Sequence, residues 1–175
     1  EARLDRVVGV VDVDTEVEVV TPEMEKIGFS SSSKLRIARP NQVRLERVGG
    51  FTNLDLLFDG KDLTIRERQS NVYGQIAAPG TTEDLINAMH DQLGMAVPGA
   101  DLLLRDSYSV LVADVIDAKV IGQGIVAGQV CDHVAFRNFD TDWQLWIRTG
   151  PEKAPCKMII TSKLIGMAPQ YTVNV

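Results

Sequence analysis

The sequence contains little cysteine, little histidine and few aromatic residues, and these shortages exclude several classes of protein. Among its 175 residues are 2 cysteines and 2 histidines, too few for a disulfide-rich scaffold. Apolar runs are also short, and none reaches the roughly 18 residues that a membrane-spanning helix needs. We therefore predict a chain that does not span a membrane and that has neither a metal site nor a cofactor.

The charged residues are in acidic excess. Asp and Glu number 24 against 18 Lys and Arg, for a net charge of -6. Such a chain repels the phosphate backbone, so we predict no nucleic-acid partner. With 45% hydrophobic residues, the chain is long enough to bury a sizeable core, and we predict a single domain over residues 1–175.

The dominant pattern is an alternation of apolar and polar residues with a period of two. From Val11 to Val19, acidic side chains occupy the even positions, which a strand would place on one face. Asp59-Gly60 is one of several hairpin signals between such segments. The pattern predicts about ten or eleven antiparallel strands, each with one apolar and one solvated face.

The alternation is interrupted once, over residues 81–115. Thr81-Thr82-Glu83-Asp84 is typical of a helix start, and Leu85, Ile86, Met89 and Leu93 follow at helical spacing. Two further short helical segments are predicted, one after Pro98-Gly99 and one from Ser107 to Val115. Because a flat sheet of this size is unstable, we predict a mainly β (α+β) fold: a strongly curved antiparallel half-barrel whose concave face is covered by this helical insertion.

Several short sequences occur together in a specific order. They are Phe58-Asp59-Gly60-Lys61-Asp62-Leu63-Thr64, Asn71-Val72-Tyr73, Ala78-Pro79-Gly80-Thr81, Ala100-Asp101-Leu102-Leu103, Cys131-Asp132-His133-Val134-Ala135-Phe136-Arg137, Asp142-Trp143-Gln144-Leu145-Trp146-Ile147 and Pro169-Gln170-Tyr171-Thr172-Val173. This ordered set resembles a family of predicted bacterial periplasmic proteins of unknown function. That family is related in fold to the lipoprotein carriers LolA and LolB.

The resemblance implies a LolA-like half-barrel in the periplasm of a Gram-negative bacterium, from which a signal peptide has been removed. It implies no particular activity. Relatives with this fold mostly hold acyl chains or lipoproteins, so a lipid or a lipidated protein is the partner that the resemblance implies.

Cys131 and His133 are two residues apart on one predicted strand and share a face. A thiolate and an imidazole would suit nucleophilic catalysis. However, neighbours pointing the same way from one strand rarely converge on a substrate atom, and the sequence places no acid to orient His133. A thiol enzyme using Cys131 is therefore only a remote alternative.

Cys131 and Cys156 are also candidates for a disulfide. An oxidising compartment favours the bridge. The simple strand geometry opposes it, because a middle strand would hold the two Cα atoms about 9–10 Å apart. Pairing requires that the middle strand ends at Arg148-Thr149, and Pro155 could shift the alternation just before Cys156.

The acidic row formed by Asp12, Asp14, Glu16 and Glu18 is the remaining charged feature. A straight strand spreads its carboxylates about 6–7 Å apart, whereas a calcium site needs oxygens that converge from a loop. We predict a solvated outer face.

The apolar inner row is the candidate ligand site. Its predicted members are Phe29, Leu35, Leu56, Phe58, Leu85, Met89, Phe136, Trp143, Leu145, Met158 and Ile160. They line either a filled core or a cavity that accepts a lipid tail. We predict a non-catalytic protein that binds a hydrophobic ligand; the alternative is an envelope sensor or interaction module that recognises a protein partner.

Overall fold

The computed structural model of the protein describes residues 8–94, 97–151 and 153–175. Within these residues the chain forms eleven strands, two α-helices and one short 3-10 helix. The strands are β1 Val8–Val20, β2 Lys26–Ala38, β3 Gln42–Gly49, β4 Asn53–Phe58, β5 Asp62–Glu67, β6 Val72–Ala77, β7 Asp117–Val126, β8 Gln129–Arg137, β9 Thr141–Arg148, β10 Pro155–Ser162 and β11 Gln170–Asn174. The helices are α1 Thr82–Leu93, the 3-10 helix Ala100–Leu103 and α2 Ser107–Val112.

The strands form one antiparallel sheet. Their order is β6-β5-β4-β3-β2-β1-β11-β10-β9-β8-β7, so most neighbours are consecutive in sequence and the last strand pairs with the first. The predicted fold class is thereby confirmed: mainly β, with an antiparallel sheet of eleven strands and a helical insertion between β6 and β7. The coverage of a concave face stays a prediction.

The chain divides into two compact units. The first unit comprises residues 8–13 and 31–105, with β3 to β6, α1 and the 3-10 helix. The second unit comprises residues 14–30 and 106–175, with α2 and β7 to β11. β1 and β2 each contribute to both units. The prediction of one domain over residues 1–175 stays a prediction.

The acidic row of β1 lies at the surface as predicted. Asp12, Asp14 and Glu16 are exposed, while Glu18 is half-buried. Glu18 accepts hydrogen bonds of 2.8 Å from Lys26 Nζ and from the backbone N–H of Gln170. The hydrogen bond from Lys26 is the main reason why the pKa of Glu18 is lowered.

In the first unit, α1 packs against one face of the sheet. Leu85 and Met89 on the helix are buried in a cluster with Val43, Phe58 and Leu63 on β3, β4 and β5. The helix turns its apolar stripe towards the sheet because Leu85 and Met89 are four residues apart and share a helical face. This contact provides the core of the first unit.

The start of α1 is fixed by its local sequence. The Thr81 hydroxyl accepts a hydrogen bond from the Asp84 backbone N–H, and the Asp84 carboxylate accepts from the Thr81 backbone N–H at 2.7 Å, which completes a capping box. The Thr82 backbone N–H donates to the Pro40 carbonyl at 2.9 Å. The last contact ties the helix start to the turn between β2 and β3.

In the second unit, cross-strand neighbours form an apolar face over β8, β9 and β10. Phe136 lies opposite Trp143, and Trp143 lies opposite Ile160. The Phe136 and Trp143 rings are stacked, with centroids 3.9 Å apart. A second row places Leu145 opposite Met158. Each row follows from the alternation, because residues opposite each other in register point to the same face.

The capping box leads us to expect that the stability of the protein depends on pH. Hydrogen bonds from the Thr81 backbone and hydroxyl lower the pKa of Asp84 in the folded state. Its contribution to stability is therefore complete above the unfolded pKa of about 3.9 and is lost as the pH falls through the lower folded value. Asp84→Ala should have a smaller free energy of unfolding than the parent protein at pH 7. The difference should shrink towards pH 2 in denaturant titrations, and a difference that is constant with pH would contradict this assignment.

Candidate hydrophobic ligand site

The α1-facing side of the first unit carries two rows of apolar residues across the strands. The row beneath α1 runs through Ile37, Val43, Phe58, Leu63 and Ile76. The adjacent row, here called the apolar row, runs through Leu35, Leu45, Leu56 and Ile65. Four neighbouring strands span about 14 Å at the usual spacing, so the apolar row is a continuous hydrophobic band of that width.

Burial varies within both rows: Leu35 and Leu56 of the apolar row are buried, whereas Ile37 and Ile76 beneath α1 are half-buried. Phe58 and Leu63, beneath the helix, are each 1% exposed. In the apolar row, Leu45 and Ile65 are only half-buried, although both pack against the same core cluster. The sheet therefore presents more apolar surface than the twelve residues of α1 cover.

The opposite face of the same strands is charged. Glu46 is paired with Arg36 and, at 3.2 Å, with Arg44, while Arg68 forms an ion pair with Asp55. The hydrogen bond from Arg36 is the main cause of a lowered pKa at Glu46. A groove of about 290 Å³ on this face is lined by Arg36 and Arg44 together with the apolar Ile37, Val43, Leu57 and Phe58. The ion pairs distinguish this face from the apolar row on the other side of the same strands.

The structure distributes the predicted lining residues over both units. Five of them pack together in the core of the first unit: Leu35, Leu56, Phe58, Leu85 and Met89. The other six belong to the second unit: Phe29, Phe136, Trp143, Leu145, Met158 and Ile160. Phe29, Phe136 and Ile160 are half-buried, and the other three of these six are buried. The set as a ligand site stays a prediction.

Seven half-buried apolar residues that pack against the core of the first unit were not among the predicted lining residues, and three of them lie on β3, β4 and β5. Leu45, Leu54 and Ile65 all pack against the core cluster. The alternation on β3, β4 and β5 predicts that they point towards the core, because each lies two residues from a buried residue on the same strand. The alternation does not predict how deeply these residues are buried, because their burial depends on how much of the sheet α1 covers.

Residues 9–175 match the model of the family described as "Predicted periplasmic protein (DUF2092)". The chain belongs to this family. The resemblance noted in the sequence and the periplasmic location that it implied are both confirmed. A comparison with curated proteins gives no match.

Solved structures show the fold at low sequence identity. The lipoprotein LppX of Mycobacterium tuberculosis is 9% identical, with a TM-score of 0.52 over 95% of this chain and 85% of that chain. LprF from Mycobacterium bovis is 12% identical, with a TM-score of 0.52 over 99% of this chain and 86% of that chain. A LolA superfamily protein from Nitrosomonas europaea is 9% identical, with a TM-score of 0.40 over 94% and 83%. The first two similarities establish a shared fold.

The two cysteines of this family member are joined by a disulfide, with Cα atoms 7.1 Å apart. Cys131 lies opposite Arg148, the last residue of β9, so the middle strand has ended beside the bridge. The register between β9 and β10 shifts between Pro155 and Lys157. Both features agree with what pairing required: the bridge lies at the end of the middle strand, and the register shifts at Cys156.

Cys131 is therefore bonded rather than present as a free thiol next to His133. The His133 ring instead stacks on Trp146, with centroids 4.0 Å apart. Its Nε2 atom lies 3.0 Å from the Gln144 side-chain oxygen, and Lys157 Nζ lies 5.5 Å from the centroid of the Trp146 ring. These contacts explain His133 as part of a packed cross-strand cluster.

Two further features bear on the kind of site. Among the residues that the structure describes, no group of three or more His, Cys, Asp or Glu side chains is arranged to hold a metal ion. Within the same part of the chain, no helix combines the length and apolar character needed to cross a bilayer.

We expect the disulfide to increase the free energy of unfolding. It closes a loop with a sequence separation of 25, which should contribute roughly 3–4 kcal/mol to the free energy of unfolding in the chain-entropy model. Cys131→Ser and Cys156→Ser should each lose about this amount in denaturant titrations, and reduction of the parent protein should match them. Loss of ligand binding in Cys131→Ser but not in Cys156→Ser, at equal stability, would contradict a purely structural bridge.

Proposed function

We propose that this protein is a non-catalytic periplasmic binding protein for a hydrophobic ligand, either the acyl chain of a lipid or that of a lipidated protein. The ligand lies along the apolar row of the first unit, beside α1. The observation that carries the proposal is the incomplete coverage of this row: Leu45 and Ile65 remain half-buried next to a core whose members Phe58 and Leu63 are almost fully buried.

The chemistry of the row suits an acyl chain. Binding a hydrocarbon requires apolar surface to be removed from water and needs no directed hydrogen bond. Burial of apolar area contributes about 25 cal/mol per Å², so a chain laid against the half-buried Leu45 and Ile65 would gain affinity on β3 and β5. Met89, with its flexible thioether, is suited to adapt the edge of the helix to chains of different shape.

The site supports binding without catalysis. No polar side chain of the apolar row is available to act as an acid, a base or a nucleophile, because its four members are all aliphatic. The cysteine that could have supplied a nucleophile is engaged in the disulfide. A carrier or storage role for an apolar ligand therefore agrees better with these residues than an enzymatic one.

A protein partner is the second candidate, and β7 is the observation that favours it. This strand stands at one end of the strand order, and its ten residues are exposed apart from Gly124 and Val126, which are half-buried. Val120 and Ile125 are among the most exposed apolar side chains of the protein. An open strand edge of this kind can pair with an extended segment of another chain.

A charge introduced into the apolar row tests the proposed site. Leu45→Glu should weaken the uptake of a fluorescent acyl probe at least tenfold, because the carboxylate must lose water when the chain covers it. Leu57→Glu is the matched control: Leu57 is on the next strand, is 52% exposed and belongs to the opposite face. Probe titrations and thermal melts of both variants give the result. Equal loss in both variants, or no uptake by the parent protein, would contradict the proposal.

Enlarging the space beside α1 gives a second test. Met89→Ala should cost about 2–4 kcal/mol of stability because it leaves a void beneath the helix. The same variant should keep or increase its affinity for the acyl probe, since the ligand can occupy that void. Denaturant titrations with and without probe measure both effects. A variant that loses stability and probe affinity in parallel would indicate that Met89 belongs to a filled core alone.

A further inference from the structure

Three turns of the second unit meet at one end of its strands and expose large apolar side chains. They are the β1–β2 turn, residues 21–25, the β8–β9 turn, residues 138–140, and the β10–β11 turn, residues 163–169. The exposed side chains, here called the apolar tip, are Met24, Phe139, Leu164, Ile165 and Met167. Their exposed fractions range from 46% at Met167 to 85% at Phe139.

The register of the strands explains why these turns are neighbours. Ser162 at the end of β10 lies opposite Thr141 at the start of β9, and Val17 near the end of β1 lies opposite Tyr171 at the start of β11. Direct contacts join the turns as well. The Lys163 backbone N–H donates to the Asp140 carbonyl at 2.9 Å, and a Cβ placed on Gly166 would lie 3.2 Å from Met24 Cε.

Two of these side chains occupy backbone positions that favour glycine. Met24 has a φ of 64° and Met167 a φ of 66°, in the left-handed region that side-chain-bearing residues adopt at a cost. Neither side chain is needed to fill the core, because both are about half exposed. Methionine at such positions strains the backbone and adds exposed apolar surface to the turns. This combination does not stabilise the fold, so it points to a role in binding.

We propose that the apolar tip inserts into the surface of a lipid bilayer and docks the protein on the membrane. Exposed apolar patches of this kind mark interaction surfaces. The five side chains expose on the order of 500 Å², if each large side chain has a total surface of roughly 150–200 Å². This area is smaller than the approximately 800 Å² per partner of a standard protein interface, so it favours a lipid surface over a second copy of the chain.

The charges around the tip specify the kind of membrane. Glu23, Glu25 and Asp140 are exposed within the same turns, and Lys163 Nζ is paired with Asp142 at 3.2 Å. This arrangement offers little attraction to anionic headgroups, so insertion depends on apolar burial rather than on charge. We therefore expect binding to zwitterionic bilayers that salt does not weaken, in contrast to a basic membrane-binding surface.

Membrane binding by the apolar tip does not depend on the apolar row, although it would place the proposed ligand binding at a membrane surface. A protein that takes up acyl chains has to approach the membrane from which they come, and the tip supplies that contact in the second unit. Uptake of the acyl probe without vesicles reports on the proposed function alone. Binding of the protein to vesicles reports on the tip alone, so the two proposals can fail separately.

The experiment measures co-sedimentation of the purified protein with phosphatidylcholine vesicles, and with vesicles in which phosphatidylglycerol replaces part of that lipid. The double variant Phe139→Ser/Leu164→Ser should lower the partition coefficient roughly 100-fold, at about tenfold for each large apolar side chain withdrawn from the bilayer. Ile125→Ser is the matched control, because Ile125 is 76% exposed on β7 of the same unit and should leave binding unchanged.

A second variant separates the fold from membrane binding. Met24→Gly/Met167→Gly should retain the melting temperature, because glycine adopts positive φ without strain. It should lower the partition coefficient only about tenfold, because the two half-exposed side chains together expose about the area of one. The proposal is overturned if the parent protein does not bind vesicles or if the tip variants bind as well as Ile125→Ser. It is equally overturned if binding requires phosphatidylglycerol and is released by salt, or if the tip variants convert a dimer in solution into a monomer.

Discussion

An antiparallel sheet with one apolar face has to cover that face, and this constraint governs the first unit. Its strands provide a wide hydrophobic surface, whereas α1 is twelve residues long. Leu85 and Met89 bury the row that includes Phe58 and Leu63, and this contact is the core of the unit. The same geometry leaves Leu45 and Ile65 half-buried, because a single helix is narrower than the sheet beneath it. Stability and the proposed ligand site thus come from one interaction.

The polar features of the chain have structural explanations that agree with its family. The acidic side chains of β1 face solvent, and Glu18 is held by Lys26 and the Gln170 backbone. Arg36, Arg44 and Arg68 of the first unit are paired with Glu46 and Asp55. The disulfide of the second unit suits the periplasmic location of the family. These residues stabilise the fold. The incompletely buried apolar row and the exposed apolar tip do not have such an explanation.

The two proposed surfaces differ in how the chain builds them. The apolar row consists of aliphatic side chains on regular strands, so its width and hydrophobicity follow from strand spacing and alternation. The apolar tip consists of turn residues, two of them at positive φ, and its position follows from strand register. A sheet surface suits the retention of a ligand, whereas protruding turns suit contact with a membrane, so one protein can combine the two proposed activities.

The sequence by itself determined the strands, the hairpins and the start of α1, because alternation, turn residues and the Thr81–Asp84 capping box act over a few neighbouring residues. It also determined the inward phase of Leu35 and Phe58. The extent of burial at Leu45, the pairing of Cys131 with Cys156 and the assembly of Met24, Phe139 and Leu164 were decided by tertiary structure alone. Each depends on strand register, on the end of β9 or on the reach of α1, and these join residues that are far apart in the chain.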